Sequence, residues 1–430
     1  MVDHPLRSVL IEEVHARPFA AIEPPEHASH LAFVSGEEAI AVDFAHLVRL
    51  CQRYGSVALP TPGARHFTFD FGVFRLKWER HGEFCTYTFF YHGEFEQPFS
   101  ISAISVVPRD WLEAIPGKRL VAVHVAVEPR DRPPRSAADL APFFRCETLA
   151  GSRVFGGAAL AWTDFAVHED GFGRILVRDI NLDPLEAGRV VQRLLEIETY
   201  RMMALVGLPH VQEHRPQIRQ IEQETAQIAR SMSENVGLAD TRVMLTRLSR
   251  LSADVEGITA RLVYRVDATR AYFALVRRRV ERLREERLER LQTIDEFMER
   301  RLAPAMQTCE TVARRLDSLF RRLARATDLL RTQVDVALQE QNRDILLSMD
   351  RRARLQSQLQ RILEVISIVA LTYYSTVLLI TILEALKAAG IPLDVELMAG
   401  AATPFLLGII WLAIRWTRKT VIRKHQQELD

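Results

Sequence analysis

Near its C-terminus the chain carries two apolar runs, and they restrict its fold more than any other feature. "VISIVALTYYSTVLLITIL" (Val365 to Leu383) is nineteen residues without a charge, and "LMAGAATPFLLGIIWLAI" (Leu397 to Ile414) is eighteen more. At 1.5 Å rise per residue, each helix spans roughly 27–29 Å, about the thickness of a bilayer's hydrocarbon core. Tyr373, Tyr374, Trp411 and Trp416 add the aromatics typical of membrane interfaces. Basic residues bracket the pair: Arg351, Arg352, Arg354 and Arg361 before the first run; Arg415, Arg418, Lys419, Arg423 and Lys424 after the second. The connecting loop, "EALKAAGIPLDVE", sets Lys387 against Glu384, Asp394 and Glu396. By the positive-inside rule, both termini are expected in the cytoplasm and the acidic loop outside, in a bacterial inner membrane.

The rest of the chain divides by pattern. Residues 1–181 read as a mixed α/β cytoplasmic domain. "HLAFVSG" and "LVAVHVAVE" have strand character, and "EEAIAVDFAHLVRLCQRYG" has apolar residues at helical spacing. "HFTFDFGVFRLKWERHGEFCTYTFFYHG" predicts a hairpin about "RHGE"; "GSRVFGGAALAWTDFAVHEDGFGRILVRDI" predicts another turning at Asp170-Gly171. Residues 182–360 read as a helical coiled-coil stalk. Its first helix is capped by Asp183, has Pro184 in its first turn and ends at "GLPH". A second helix is expected over 212–234 and a third from about Asp240. The third has an apolar seam through Leu248, Leu251, Val255, Ile258, Leu262, Val266, Thr269, Phe273, Val276, Val280 and Leu283. From Pro304 no glycine or proline occurs until Gly390, so one helix is expected to run from the stalk into the first apolar run. Residues 361–416 form the two-helix membrane domain, with its outer loop at 384–396, and 417–430 a basic tail. The fold class is α+β.

Charge and motifs exclude much. The formal net charge is +1, which gives no drive toward nucleic acid. The arginine-rich "RRRVERLREERLER" interleaves glutamates at helical spacing and reads as a solvated coiled-coil face. Cys51, Cys85, Cys146 and Cys309 form no CxxC pair, which suits a reducing compartment. The chain lacks GxGxxG, Walker A, GxSxG and HExxH patterns and reads as a non-enzyme without a resident cofactor. The polar-rich "HPLRSVLIEEVHARPF" (4–19) reads mainly as a short helix ended at Arg17-Pro18. Its His4 and His15, with His27 and His30 beyond it, are candidate metal ligands, although spacings of 11, 12 and 3 match no known ligand pattern. Gln360, Ser367, Tyr374 and Thr381 recur every seven residues in and before the first apolar run. Each step returns to within about 20° of the same helix direction. This stripe is a candidate pore lining, with ordinary helix packing as the alternative, and Glu384, Asp394 and Glu396 are the candidate outer mouth.

Two resemblances follow. "HPLRSVLIEEVHARPF", "YRVDATRAYFALVRRRVERLREERLERLQTIDEFMERRLAPAMQTCE" and "LLRTQVDVALQEQNRDILLSMDRRARLQ" together resemble a bacterial family of membrane-anchored proteins of unknown function, over essentially the full length. The architecture, an α/β domain followed by a long stalk helix and two spans, is similar to the CorA-type divalent-cation channels. That resemblance implies a homo-pentamer in lipid with the first span lining the pore and a divalent cation as cargo. The Gly-Met-Asn motif of those channels is absent from "EALKAAGIPLDVE". The expectation is therefore a CorA-like homo-oligomer that conducts or senses cations, or else a non-conducting scaffold whose cytoplasmic domain binds a protein partner.

Overall fold

The computed structural model describes residues 4, 7, 19–35, 40–56, 59–60, 64–232, 237–388 and 394–427. Among them a nine-stranded mixed sheet forms first. Its elements run β1 (Glu26–Val34), α1 (Ile40–Arg53), β2 (His66–Asp70), β3 (Arg75–Arg80), β4 (Phe84–His92), α2 (Arg109–Glu113), β5 (Lys118–Glu128), α3 (Ala137–Leu140), β6 (Ala150–Val154), β7 (Ala159–Thr163) and β8 (Gly173–Asp179). Spatial order is β2-β3-β4-β1-β5-β8-β7-β6-β9, with β9 (Glu286–Arg287) arriving much later in the chain. Neighbours are antiparallel except β5 and β8.

Strand alternation decides what covers each face. In β5, Val121, Val123, Val125 and Val127 join a core completed by Val190, Val191, Leu194 and Leu195 of helix α4 (Pro184–Leu205). On the other face, Leu31, Leu76, Trp78, Tyr87 and Phe89 pack with Leu47 and Leu50 of α1 and with Trp111 of α2. Ala126, Trp162 and Leu176 pack with Leu140 and Phe144. Each fully buried side chain of this size contributes roughly 1.5–3 kcal/mol. Helix α4 starts as its sequence predicts. The Glu186 amide donates to Asp183 Oδ1 at 2.7 Å, and the Asp183 amide donates to Glu186 Oε2 at 3.3 Å, a reciprocal cap with Pro184 at the first helical position.

Then come α5 (Gly207–Ser231), α6 (Leu238–Leu283), α7 (Ile294–Arg301), α8 (Ala303–Ala388) and α9 (Val395–Gln427). Every position of the α6 seam is buried except the half-buried Phe273. Arg270 of α6 pairs with Glu310 of α8 at 2.8 Å, and Arg315 Nε of α8 donates to Glu222 of α5 at 2.9 Å. The chain divides into two compact units, residues 1–236 with 242–327, and residues 237–241 with 328–430.

Two sequence expectations hold with an addition, and one is corrected. First, β7 and β8 pair antiparallel about the Asp170-Gly171 turn as expected, and a second, tighter hairpin joins β6 to β7 at Phe155–Ala158. Phe155, Gly156 and Gly157 take positive φ there, and the Asp170-Gly171 turn sits in the longer β7–β8 connection. Second, the first helix does stop at "GLPH", ending at Leu205, but the next helix begins at once at Gly207 and not near 212. A Cβ on Gly207 would lie 2.2 Å from Thr269 Oγ1, so this glycine serves close approach to α6. Third, "RRRVERLREERLER" is not one solvated helix. Helix α6 stops at Leu283, Arg284 takes φ 49°, and Glu286–Arg287 join the sheet edge beside β6.

Helix α8 and helix α9 each carry a stretch long and apolar enough to cross a membrane, hardly buried within the chain. Their less exposed positions fall on one seam each: 364, 368, 372, 375, 376, 379, 380 and 383 in α8, and 395, 399, 402, 403, 406, 410 and 414 in α9. Steps of three and four on both are what helix-on-helix packing produces.

Candidate functional site

The stripe predicted from the sequence lies away from that seam. Gln360, Ser367, Tyr374 and Thr381 are all exposed. Tyr374 is two positions from both Thr372 and Thr376 of the seam, about 200° around the helix. The Thr381 hydroxyl donates to the Val377 carbonyl at 2.9 Å, so its proton is satisfied within its own helix. Glu384, Asp394 and Glu396 are exposed as well. Asp394 also works at the start of α9, where its carbonyl accepts from the Met398 amide at 3.1 Å.

The histidine candidates do not converge. His4 is exposed, and His15 lies outside the described residues. His27 and His30 sit three apart on β1 and therefore point to opposite faces. His27 packs against the Phe95 ring at 4.5 Å. His30 has both ring nitrogens engaged, Nδ1 at 2.8 Å from Thr88 Oγ1 and Nε2 at 3.0 Å from Thr199 Oγ1. Thr199 gives its proton to the Leu195 carbonyl at 2.8 Å, so it accepts from an Nε2–H, and Thr88 donates to Nδ1. Burial, with the Lys77 ammonium nearby, pushes this imidazole down to about 3. Among the described residues no group of three or more His, Cys, Asp or Glu stands ready for a metal ion.

What the sequence reading missed is a polar cavity of about 300 Å³ between the β1, β3 and β4 strands, helix α4 and the end of α6. Helix α4 lies close to the sheet, so the polar face of β3 is buried. Lys77 Nζ donates to Gln192 Oε1 at 2.8 Å and pairs with Glu79 Oε1 at 3.2 Å. Gln192 Nε2 donates to Glu196 Oε1 at 3.0 Å, and Glu196 Oε2 pairs with Arg279. A continuous relay thus runs Glu79–Lys77–Gln192–Glu196–Arg279. Arg193 and Arg282 also line the cavity, with Arg193 Nη1 donating to the Arg282 carbonyl at 2.9 Å. Burial first, and then the nearby Arg282 and Arg279, hold the Arg193 guanidinium below its usual range. Phe19, the last residue of the N-terminal signature, and Ala20 lie on the wall, and Arg189 sits over the Phe19 ring at 5.7 Å. Ala20 crosses α4 at Gly188, where a Cβ would meet the Ala20 carbonyl oxygen at 1.8 Å.

The signal for this site was faint. Lys77 and Glu79 alternate with Leu76 and Trp78 as a strand with one wet face would. Gln192 and Glu196, four apart on α4, were a second hint that something polar lay opposite.

These observations define an α+β protein with a mixed sheet, long helices and two apolar C-terminal helices. The chain belongs to the DUF3422 family, described as a protein of unknown function, whose model matches residues 2–421. No curated protein matches it.

Proposed function

We propose that the chain is a two-span integral membrane protein that assembles with copies of itself through α8, in a CorA-like arrangement with the first span around a cation path. The supporting observation is the state of α8 in its own chain. Every residue from 341 to 360 is exposed, including Ile345, Leu346, Leu347, Met349, Leu355 and Leu359. A solvent-surrounded helix with that much apolar surface is unstable alone. A second copy of the same helix covers it without another partner. The polar stripe continues this uncovered surface into the apolar run, on the side away from the less exposed seam of α8. Facing a shared axis, its hydroxyls and amide replace part of a cation's hydration, and Glu384, Asp394 and Glu396 concentrate cations at the mouth. The surrounding basic residues favour both ends of the chain in the cytoplasm.

The test is cation flux into liposomes by purified, oligomeric protein. Uptake of Mg²⁺, Co²⁺, Ni²⁺ or Zn²⁺, reduced by Ser367→Leu and Thr381→Leu, supports conduction. An intact oligomer with no flux for any of them favours the second reading, a non-conducting membrane scaffold. The loop without Gly-Met-Asn speaks for that alternative.

A further inference from the structure

We propose that the cavity beneath α4 binds a small ligand with a phosphate-type oxyanion at one end and a hydrogen-bond donor at the other. The charge inventory carries this. Lys77 is matched by Glu79, and Arg279 by Glu196. Arg193 and Arg282 line the same space, and no carboxylate of the described residues stands within ion-pair distance of either. Two cationic side chains lining one cavity without an anion repel one another, and an oxyanion accepting from both removes that repulsion.

The opposite end is built differently. Glu79 is buried and paired with Lys77, yet its Oε1 accepts no well-aligned hydrogen bond. A buried carboxylate oxygen left in that state gains from a hydroxyl or amine donor. The cavity's volume is at the low end of the range, about 300–1,000 Å³, that holds small molecules. Its outer wall carries Phe19, so the N-terminal signature contributes to the rim instead of forming an active site of its own.

The probe is pyrophosphate, titrated calorimetrically into the full chain in zwitterionic nanodiscs at constant ionic strength set by chloride. The expected result is saturable binding. It should weaken at least tenfold in Arg282→Glu, at an exposed position, and stay within twofold in Arg290→Glu, an exposed arginine outside the cavity. Arg193→Gln should weaken it as well. A second arm replaces part of the lipid with anionic phosphatidylglycerol and omits soluble phosphate. A rise in unfolding temperature there, abolished by Arg282→Glu, assigns the oxyanion to a lipid headgroup. Absence of an effect in both arms, with folded protein, overturns the proposal. So does binding that survives both Arg282→Glu and Arg193→Gln. Neither result depends on whether the chain conducts ions.

Discussion

The two ends of helix α8 make an instructive contrast. Between Met306 and Leu323 the buried positions Met306, Cys309, Val312, Leu316, Leu319 and Leu323 form a continuous stripe, and Arg315 reaches Glu222 on α5. Between 341 and 360 the same uninterrupted helix is exposed at every residue. Backbone propensity does not separate them, since neither stretch contains glycine or proline. The difference is whether the chain supplies its own partner. One part is finished by intramolecular packing; the other is left uncovered within the chain, which is where the proposed assembly acts. Substitutions in the first should therefore read out as folding stability, and in the second as assembly.

The largest effect is expected far inside the first unit. Glu128 is fully buried and receives Arg135 Nε at 2.9 Å and Arg178 at 3.2 Å. Glu128→Ala strands those cations and should cost about 3–5 kcal/mol in denaturant unfolding. A loss below 1 kcal/mol would mean that the folded interior there is as open as the uncovered helix.

Acid should act on the same unit. Burial pushes His30 down to about 3, and burial pushes His124 down to about 4, so both are neutral when folded. The unfolded chain takes up their protons below its ordinary histidine value of about 6.5, so stability is lost as pH falls from there toward 4. Between pH 6.5 and 5 the pair accounts for about 3 kcal/mol. Burial raises Glu26 and Asp43, which has the opposite sign: their contribution is present at low pH and fades as pH rises through their folded values. Denaturant midpoints across this range should show the histidine slope, while assembly through residues 341–360, which contain no histidine, should not follow it.

Gly188→Ala comes next. Its Cβ would clash with the Ala20 carbonyl, and the shift required should cost about 1–3 kcal/mol in thermal unfolding. Smallest on stability is Leu346→Ala, at a side chain 66 % exposed, which should stay within about 0.5 kcal/mol. The same variant should lower the oligomer fraction in sedimentation. An unchanged oligomer would break the contrast at its second half.

Much of this organisation could be read from residues. The Asp183-Pro184-Glu186 start of α4, the α6 seam and the unbroken run after Pro304 are local signals, and local physics decides them. The failures came where tertiary contact overrides local pattern. Gly207 does follow the end of α4, but α5 starts on it in close approach to Thr269 instead of after a loop; the stretch after Leu283 looked helical and is drawn into the sheet edge at β6. The cavity was nearly invisible for the same reason. Lys77 and Arg279 are about two hundred residues apart, and nothing near either announces that α4 will connect them through Gln192 and Glu196.

Cysteine cross-linking along α8 in membranes, in a Cys146→Ser background because that native thiol is the exposed one, tests the account most directly. Single cysteines at Gln360, Ser367, Tyr374 and Thr381 should form intermolecular disulfides, and cysteines at Val365 and Ile382 should remain reduced. A monomeric chain, or cross-links of equal yield at all six positions, would contradict self-assembly through this face.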